Sequence, residues 1–159
     1  MSVAREEQKK ARMKAMRLLE HMDRTEKGLR ERLRQAGFSG DAIQDAMDYV
    51  KSYGYINDAG YAQRYISYRL GIKSKQIILQ ELSQKGIDRQ TALKAWEEAA
   101  ELEEPDERVM IRKAVEKKYE PDSKLNEKEM RRLYGYLARR GFRAGDISSV
   151  LEEMKIAME

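Results

Sequence analysis

The sequence predicts an all-α protein of three tandem three-helix repeats, stacked into an elongated, curved array. A run of the form Leu-x3-Leu-x3-Gly, followed by Phe or Ile, occurs three times, with Ile replacing the first Leu in the second copy. Its glycines are Gly37, Gly86 and Gly141, spaced by about 50 residues, a period typical of stacked supersecondary units. No alternating run of β-branched residues is long enough to predict a strand.

Apolar residues occupy matching places around the three glycines. The aligned sets are Leu29, Ile78 and Leu133; Leu33, Leu82 and Leu137; Phe38, Ile87 and Phe142; Ile43, Ala92 and Ile147; and Val50, Ala99 and Met154. Agreement at so many positions indicates an internal repeat and not chance. Because one repeat alone has too small a core to be stable, we expect neighbouring repeats to stack.

The first repeat, residues 1–54, contains three segments with helical spacing. The inward face predicted for the first helix comprises Ala11, Ala15, Leu18, Leu19 and Met22. Thr25 is the predicted N-cap of the second helix, which ends at Gly37, and Ser39 is the predicted N-cap of the third. The inward face predicted for this third helix comprises Ile43, Ala46, Met47, Val50 and Tyr53.

The second repeat, residues 55–100, and the third, residues 101–159, show the same organisation. Asp58, Ser74 and Asp88 are the predicted N-caps of the second repeat. Its predicted inward residues are Tyr61, Ala62, Tyr65, Ile66, Ile78, Leu82, Ala92, Ala95, Trp96 and Ala99, and Tyr68 is predicted to be exposed. Those of the third repeat are Ile111, Ala114, Val115, Met130, Leu133, Leu137, Ile147, Val150, Leu151 and Met154.

The two junctions between repeats differ in composition. The first is short and contains Tyr53 and Tyr55, two aromatic side chains that we expect to hold the first two repeats together. The second, residues 97–107, is rich in glutamate and contains the helix-breaking Pro105. Because like charges at this density repel and stay solvated, the sequence predicts a hinge there.

Composition narrows the class of protein. Charged residues make up 38% of the chain and apolar ones 41%, and the net charge is +4, which is typical of a soluble, folded protein. The sequence contains no cysteine, which excludes disulfides, thiolate chemistry and the usual zinc modules. It contains neither an apolar run long enough to span a membrane nor a secretory signal, so we expect a cytoplasmic protein without membrane association.

The sequence lacks the residue combinations that usually form a catalytic site. The single histidine, His21, has no serine, cysteine or second histidine near it in sequence. The acidic pairs Glu103–Glu104 and Glu152–Glu153 are adjacent in sequence, so their members lie on different faces of any helix. The repeated glycines are isolated and form no phosphate-binding loop. The sequence therefore predicts a protein that is not an enzyme and holds neither cofactor nor metal.

Clusters of basic residues in each repeat predict a binding role. The candidate partner-binding residues are Lys27, Arg30 and Arg34 in the first repeat; Arg64, Tyr68, Arg69, Lys73 and Lys75 in the second; and Arg131, Arg132, Arg139, Arg140 and Arg143 in the third. Basic side chains interleaved with tyrosines suit phosphates and nucleobases, and they equally suit an acidic protein surface. The alternative is that many of these arginines pair with glutamates one helical turn away.

Two stretches carry a resemblance to a known family. The first runs Tyr55-Ile56-Asn57-Asp58-x2-Tyr61-Ala62-x2-Tyr65-x3-Arg69-x-Gly71 and continues to Ile78-x2-Glu81-Leu82-x2-Lys85-Gly86-Ile87. The second is the opening repeat, Ala15-x2-Leu18-Leu19 through Thr25-Glu26-Lys27-x-Leu29-x3-Leu33-x3-Gly37-Phe38. Both resemble the RecX family of bacterial RecA regulators, and the resemblance covers nearly the whole chain.

This resemblance implies a non-enzymatic modulator that binds the RecA–DNA filament and inhibits its recombinase, ATPase and coprotease activities, with a role in DNA repair and the SOS response. The expected partners are the RecA filament and single- or double-stranded DNA, and the protein is expected to be a monomer. One alternative is a direct helical DNA- or RNA-binding protein, since three-helix units can place a helix in a groove. Another is a passive structural adaptor, which only the repeats favour.

Overall fold

Nine α-helices account for most of the chain in the computed structural model, which describes residues 2–102 and 105–159. The helices are α1 (Val3–His21), α2 (Glu26–Gln35), α3 (Gly40–Ser52), α4 (Asp58–Arg69), α5 (Lys75–Gln84), α6 (Arg89–Leu102), α7 (Glu107–Glu116), α8 (Glu127–Arg139) and α9 (Ala144–Glu153). They follow one another as three sets of three, so the predicted helical repeat is confirmed. The division of the chain after residues 54 and 100 stays a prediction.

Two short strands were not predicted. Strand β1 (Lys124–Leu125) pairs in parallel with β2 (Ala157–Met158). The Ala157 N–H donates to the Ser123 carbonyl at 3.2 Å, and the Glu159 N–H donates to the Leu125 carbonyl at 2.9 Å. A strand of two residues shows no alternation in sequence, so this pair could not be predicted, and the all-α fold class is confirmed.

The repeated glycines end helices as predicted. Gly37, Gly86 and Gly141 have φ angles of 91°, 90° and 89°. Each follows the second helix of its repeat, where the left-handed conformation lets the chain turn. The three runs therefore have one backbone geometry as well as one sequence pattern.

Most predicted N-caps are confirmed. The side-chain oxygens of Thr25, Ser39, Ser74 and Asp88 each accept a hydrogen bond from a backbone N–H three residues later. Asp58 is an exception, because α4 is capped by Asn57, whose Oδ1 accepts from the Gly60 N–H at 3.0 Å. Asp58 Oδ1 accepts instead from the Glu26 N–H at 2.9 Å, at the first residue of α2. The Asp58 carboxylate thus binds a backbone N–H at the N-terminus of a helix in the preceding repeat.

The chain folds into two compact units, one formed by Met1–Tyr65 with Glu81–Trp96 and the other by Ile66–Gln80 with Glu97–Glu159. One buried cluster of the first unit lies between α1, α2 and α3 and contains Ala11, Ala15, Leu18, Leu29, Leu33, Ala42, Ile43, Ala46, Met47, Val50 and Ile56. One buried cluster of the second unit lies between α7, α8 and α9 and contains Met110, Ile111, Ala114, Val115, Leu125, Leu133, Leu137, Phe142, Ile147, Val150, Leu151, Met154 and Ile156. In the second repeat Ile78 and Leu82 are also fully buried.

Two predicted inward residues are exposed. Met22 is the C-cap of α1 and has an extended backbone, which takes its side chain off the helical stripe. Tyr53 is the C-cap of α3 and is 60% exposed. Its ring stacks on Tyr55, with centroids 5.6 Å apart, and meets the edge of Tyr49 at 5.1 Å. Tyr53 and Tyr55 are thus not buried, and the expectation that they hold the first two repeats together stays a prediction.

One contact between second helices recurs along the chain. Thr25 Oγ1, at the start of α2, donates to the Lys85 carbonyl at the end of α5, at 2.7 Å. Correspondingly, the Ser74 N–H, at the start of α5, donates to the Arg140 carbonyl at the end of α8, at 3.2 Å. Thr25 and Ser74 are both buried. A polar residue that caps one helix therefore also contacts the end of the equivalent helix in the next repeat.

The predicted hinge remains untested. Helix α6 ends at Leu102, and Asp106 caps α7 with its side chain accepting from the N–H groups of Arg108 and Val109. Glu103 and Glu104, the centre of the predicted hinge, lie outside the described residues. None of the described helices combines the length and apolar character needed to cross a membrane.

Two ion pairs in the first repeat make its stability depend on pH. The Arg12 guanidinium donates to Asp45 at 2.7 and 2.9 Å and holds the pKa of that carboxyl below its usual value. A hydrogen bond from Lys51 likewise lowers the pKa of Glu26. A carboxyl whose pKa is lower in the folded state stabilises the fold above its unfolded pKa, and that stabilisation disappears as the pH falls through the folded pKa.

We therefore expect the melting temperature to fall as the pH drops below about 4, the region of ordinary carboxyl pKa values. The Asp45→Asn/Glu26→Gln variant should lose less stability over this range than the unchanged protein. The difference at neutral pH should be at most about 1 kcal/mol per pair, since both pairs are partly exposed. Thermal scans across a pH series measure this, and parallel curves for the two proteins would contradict it.

Candidate partner-binding surface

The predicted basic residues of the first repeat lie on α2. Lys27 and Arg34 are exposed, whereas Arg30 is half-buried. Arg30 Nη2 lies 3.3 Å from Glu26 Oε1, one turn away, and 3.0 Å from Gln44 Oε1. Arg30 is thus already engaged within its own repeat, as the helix-pairing alternative predicts.

The predicted residues of the second repeat are of mixed exposure. Arg64 is exposed, but its Nε and Nη2 donate to Asp23 Oδ2 at 3.0 and 2.6 Å. Tyr68 is 78% exposed, which agrees with its predicted position off the apolar face. Arg69 and Lys73 are half-buried and Lys75 is exposed. The group therefore contains three exposed side chains, those of Arg64, Tyr68 and Lys75.

Three of the five predicted residues of the third repeat lie on one helix. Arg131, Arg132 and Arg139 are exposed on α8, Arg140 is its C-cap, and Arg143 is the N-cap of α9. The first three line a shallow depression together with three residues that were not predicted to bind a partner. We call this depression the α8 concavity, and its residues are Lys118, Arg131, Arg132, Gly135, Tyr136 and Arg139.

Helix geometry explains this grouping on α8. Arg131, Arg132 and Arg139 stand four before, three before and four after Gly135, so all three border the glycine on one helix face. The helix is fixed at its start by a capping box, in which Asn126 and Glu129 bond each other's backbone N–H groups. Leu133 and Leu137 anchor its other face in the core. The cations are thus carried by a rigid element.

Tyr136 is held between cations. Lys118 Nζ lies 4.1 Å from the centroid of its ring and the Arg140 guanidinium carbon 4.5 Å from it. Both distances are within the range of a cation–π interaction, which draws positive charge to the ring. Tyr136 therefore fixes two cations beside the arginines of the concavity.

The concavity carries positive charge that the described residues do not neutralise. Arg131 pairs with Glu127 at 3.0 Å, but both side chains are largely exposed. Within residues 2–102 and 105–159, no ion pair joins Lys118, Arg132 or Arg139 to a carboxylate. Several cations of the first unit, by contrast, are paired, as Arg12 is with Asp45 and Arg64 with Asp23.

Lys118 and Tyr136 were missed because they lie outside the repeated pattern. Lys118 follows the end of α7, and only the folded chain brings it next to α8. Gly135 had a signal in the sequence, because an isolated glycine within a helical pattern lowers helix stability without an evident reason. The sequence located the basic run but not the depression.

The histidine and the acidic pairs that the sequence argued against as catalytic groups lie apart from one another in sequence, and His21 and Glu152–Glu153 are on different helices. His21 is exposed at the last turn of α1. Glu153 pairs with Arg108, Glu152 is exposed, and Glu103 and Glu104 lie outside the described residues. In the part of the chain that the structure describes, no group of three acidic or histidine side chains is arranged to hold a metal ion.

Comparison with known proteins identifies the repeats. Residues 11–49, 57–95 and 106–151 match the models of the first, second and third three-helix domains of RecX. The chain is 34% identical to the regulatory protein RecX of Caldanaerobacter subterraneus subsp. tengcongensis over 91% of its own length and 71% of that protein's. It is 31% identical to the regulatory protein RecX of Amycolatopsis mediterranei, over 93% and 85% of the two chains.

A solved structure shows the same fold. The crystal structure of RecX from Lactobacillus salivarius superimposes with a TM-score of 0.69 at 23% identity, covering 94% of this chain and 97% of that one. The sequence relatives and the matched domains together cover all three repeats. The chain therefore belongs to the RecX family.

Proposed function

We propose that this protein is a non-enzymatic regulator of the RecA recombinase. In this proposal it binds the RecA–DNA filament and inhibits its ATPase, recombinase and coprotease activities, and so regulates DNA repair and the SOS response. It acts as a monomer in the cytoplasm. The observation that carries the proposal is the match of all three repeats to the three RecX domains, whose relatives are named regulatory proteins.

The surface of the third repeat supports a contact with an anionic partner. Its arginines stand on one helix, and the cations of the concavity without a carboxylate partner have no ion pair to give up on binding. Charged contacts of this kind are individually weak in water. Three repeats in one chain can add several such contacts along a polymer of identical subunits, and linked contacts gain affinity through effective concentration.

Direct binding to nucleic acid is a second candidate function, and the α8 concavity favours it. For phosphate binding, the logarithm of the binding constant falls steeply and linearly with the logarithm of the salt concentration. A protein contact with apolar anchors should retain its affinity. A salt titration of binding to RecA filaments, compared with binding to DNA alone, separates the two.

Steady-state ATP hydrolysis by RecA on single-stranded DNA tests the main proposal. We expect substoichiometric amounts of this protein to inhibit turnover, because a ligand that blocks filament growth affects more subunits than it touches. The Arg132→Glu/Arg139→Glu variant should need at least about ten-fold more protein for equal inhibition, since charge-assisted contacts are worth about 1.5–3 kcal/mol when desolvated and about 1 kcal/mol or less when solvated.

The matched control reverses the charge of two cations that lie outside the α8 concavity. Arg89→Glu/Lys94→Glu changes two exposed cations of α6, and it should inhibit like the unchanged protein. Circular dichroism checks that all three proteins have the same helicity. If the unchanged protein fails to inhibit at any ratio, the RecA proposal is wrong; if the α8 variant inhibits fully, the choice of contact surface is wrong.

A further inference from the structure

The first repeat has an open groove beside α1 that includes none of the residues predicted to bind a partner. We call it the α1 groove, and its lining includes Lys9, Arg12, Met13, Met16 and Arg17 of α1 and Tyr49 of α3. Met16 and Tyr49 pack against the buried cluster of the first unit, whereas Met13 is exposed. The apolar surface of the core therefore continues into the groove and reaches solvent at Met13.

A row of tyrosines extends from this groove. The ring of Tyr49 meets that of Tyr53 edge to face, with centroids 5.1 Å apart, and Tyr53 stacks on Tyr55 at 5.6 Å. Tyr53 and Tyr55 are both exposed. Gly54 between them has a φ angle of 71°, and this left-handed turn allows the two rings to stack. Exposed tyrosines that are already ordered are typical of protein-binding surfaces, since a fixed ring loses little entropy on binding.

Arg12 fixes the wall of the groove. Its guanidinium carbon lies 4.7 Å from the centroid of the Tyr49 ring, within the range of a cation–π interaction. The same guanidinium donates to Asp45 at 2.7 and 2.9 Å. Asp45 and Tyr49 are four residues apart on α3 and so lie on one helix face. The shape of the groove is therefore set before a ligand binds, and the charge of Arg12 is already neutralised by Asp45.

The remaining charges make the groove positive. Lys9 and Arg17 are exposed, and within residues 2–102 and 105–159 no ion pair joins either of them to a carboxylate. Glu20 is the acidic residue of the lining. Two cations without a carboxylate partner thus stand against one carboxylate. Charge complementarity therefore favours an acidic partner.

The spacing along α1 indicates how such a partner would lie. Lys9, Met13 and Arg17 occupy positions i, i+4 and i+8, so they lie in a row on one helix face. Neighbours in this row are about 6 Å apart along the helix axis. In an extended peptide every second side chain points to the same side, at intervals of about 6.6–6.8 Å. An acidic, an apolar and a second acidic residue at alternate positions would therefore face Lys9, Met13 and Arg17 in turn.

The middle of the groove favours a protein segment over a nucleic acid. Phosphates recur along a polynucleotide and call for a continuous row of cations. Here Met13 and Met16 separate Lys9 from Arg17. Methionine is a flexible thioether whose side chain adapts to the shape of other apolar side chains. The groove thus offers an apolar contact with a cation on either side of it.

We propose that the α1 groove binds an extended, acidic protein segment in which an apolar side chain stands between two carboxylates at alternate positions. The apolar side chain packs on Met13 and Met16, and the carboxylates pair with Lys9 and Arg17. The inference goes beyond the proposed function, because it concerns a face other than the α8 concavity and names the chemistry of its partner. Its test uses the protein without RecA, so failure of either proposal leaves the other standing.

Nuclear magnetic resonance of the protein, labelled with carbon-13 on the methionine methyl groups, tests the proposal. The probe is the peptide Ser-Glu-Ser-Leu-Ser-Glu-Ser, blocked at both ends and added up to about 5 mM, so that a millimolar dissociation constant is measurable. The Met13 and Met16 signals should shift and saturate. Those of Met110 and Met154, which are buried in the second unit, should not shift.

Two further peptides separate the apolar contact from the charged ones. The peptide with serine in place of leucine should bind at least about ten-fold more weakly, because it buries no apolar side chain. The peptide with lysine in place of both glutamates should leave the Met13 and Met16 signals unchanged, since it repels Lys9 and Arg17. Equal binding of all three peptides would overturn the proposal.

Charge reversal in the protein tests the two cations. The Lys9→Glu/Arg17→Glu variant should bind the leucine peptide at least about ten-fold more weakly. The matched control is Arg5→Glu/Lys10→Glu, which reverses two exposed cations of the same helix that do not line the groove. It should bind like the unchanged protein, and circular dichroism checks that both variants keep their helicity. An equal loss in the two variants would show a general effect of net charge and would refute the site.

Replacement of Met13 tests the apolar contact. Met13→Gln keeps the length of an exposed side chain but places an amide where the leucine packs, so binding followed at the Met16 signal should weaken about ten-fold. Val3→Gln changes another exposed apolar residue of α1, outside the groove, and should have no effect. Absence of any shift at the highest peptide concentration would overturn the proposal. Displacement of the peptide by an equal concentration of oligothymidine would show a nucleic-acid site instead.

Discussion

Replacing Gly141 by alanine is expected to destabilise the protein by about 2–5 kcal/mol. The backbone there has a φ angle of 89°, which costs an L-residue about 1–2 kcal/mol. A Cβ at this position would also lie 2.2 Å from Ser74 Oγ and 2.7 Å from Ile77 Cβ. Since Ser74 is completely buried, it cannot simply move aside, and forced overpacking adds about 1–3 kcal/mol.

Gly37 supplies a control with the same backbone and no neighbour. Its φ angle is 91°, and an added Cβ would meet nothing within 4 Å. Gly37→Ala should therefore cost only the conformational part, about 1–2 kcal/mol. At Gly86 a Cβ would lie 2.4 Å from Lys27 Cβ, so Gly86→Ala should cost more than Gly37→Ala.

Urea denaturation followed by far-ultraviolet circular dichroism measures the three variants. The informative result is the difference between them, since all three share the left-handed backbone. Larger losses of unfolding free energy at Gly86 and Gly141 than at Gly37 would indicate that these two glycines also allow the second helix of the preceding repeat to pack closely against them. Equal losses at all three positions would contradict the close approach at Gly86 and Gly141.

Periodicity explains why the repeat fold could be predicted. Leu33, Leu82 and Leu137 precede equivalent glycines by four residues, and all three are fully buried. The glycines themselves have one backbone conformation. Of the five predicted N-caps, all but Asp58 are confirmed. These features depend on residues within one or two helical turns, where sequence spacing determines geometry.

Contacts between distant residues could not be predicted in the same way. The hydrogen bond from Thr25 to the Lys85 carbonyl joins residues 60 apart in sequence, and the spacing of the residues does not predict it. Asp58 was predicted to cap its own helix from its position alone. Its side chain instead accepts from the Glu26 N–H of another repeat, a contact that the local sequence does not indicate. Lys118 reaches the α8 concavity for the same reason, so the sequence identified basic helices but not the depression that they form.

The exposed tyrosines show the limit of a helical stripe near its end. Tyr53 continues the spacing of α3, yet it is the C-cap, where the backbone departs from helical geometry. Its ring stacks on Tyr55 and not on the core. Extrapolating a periodic pattern by one residue beyond the last turn therefore predicts the wrong environment.

Leu82→Ala is expected to lower the free energy of unfolding by about 2–5 kcal/mol, which is the cost of removing a fully buried leucine and leaving a cavity. Leu82 lies on α5 in the middle repeat, four residues before Gly86, and none of its surface is exposed. Leu33→Ala and Leu137→Ala remove the equivalent side chains and should cost amounts in the same range, with differences set by how far each core can relax.

Ser83→Ala is the matched control, since Ser83 is the next residue of the same helix and is exposed. Exposed substitutions away from special contacts usually change stability by about 0.5 kcal/mol or less. Urea denaturation of the four variants measures the differences. A repeat protein is stabilised by each repeat and by its interfaces with the neighbouring repeats. We therefore expect Leu82→Ala to lower the stability of the neighbouring repeats as well as that of α5. An unchanged unfolding midpoint for Leu82→Ala would show that the alignment of the three repeats is wrong at its centre.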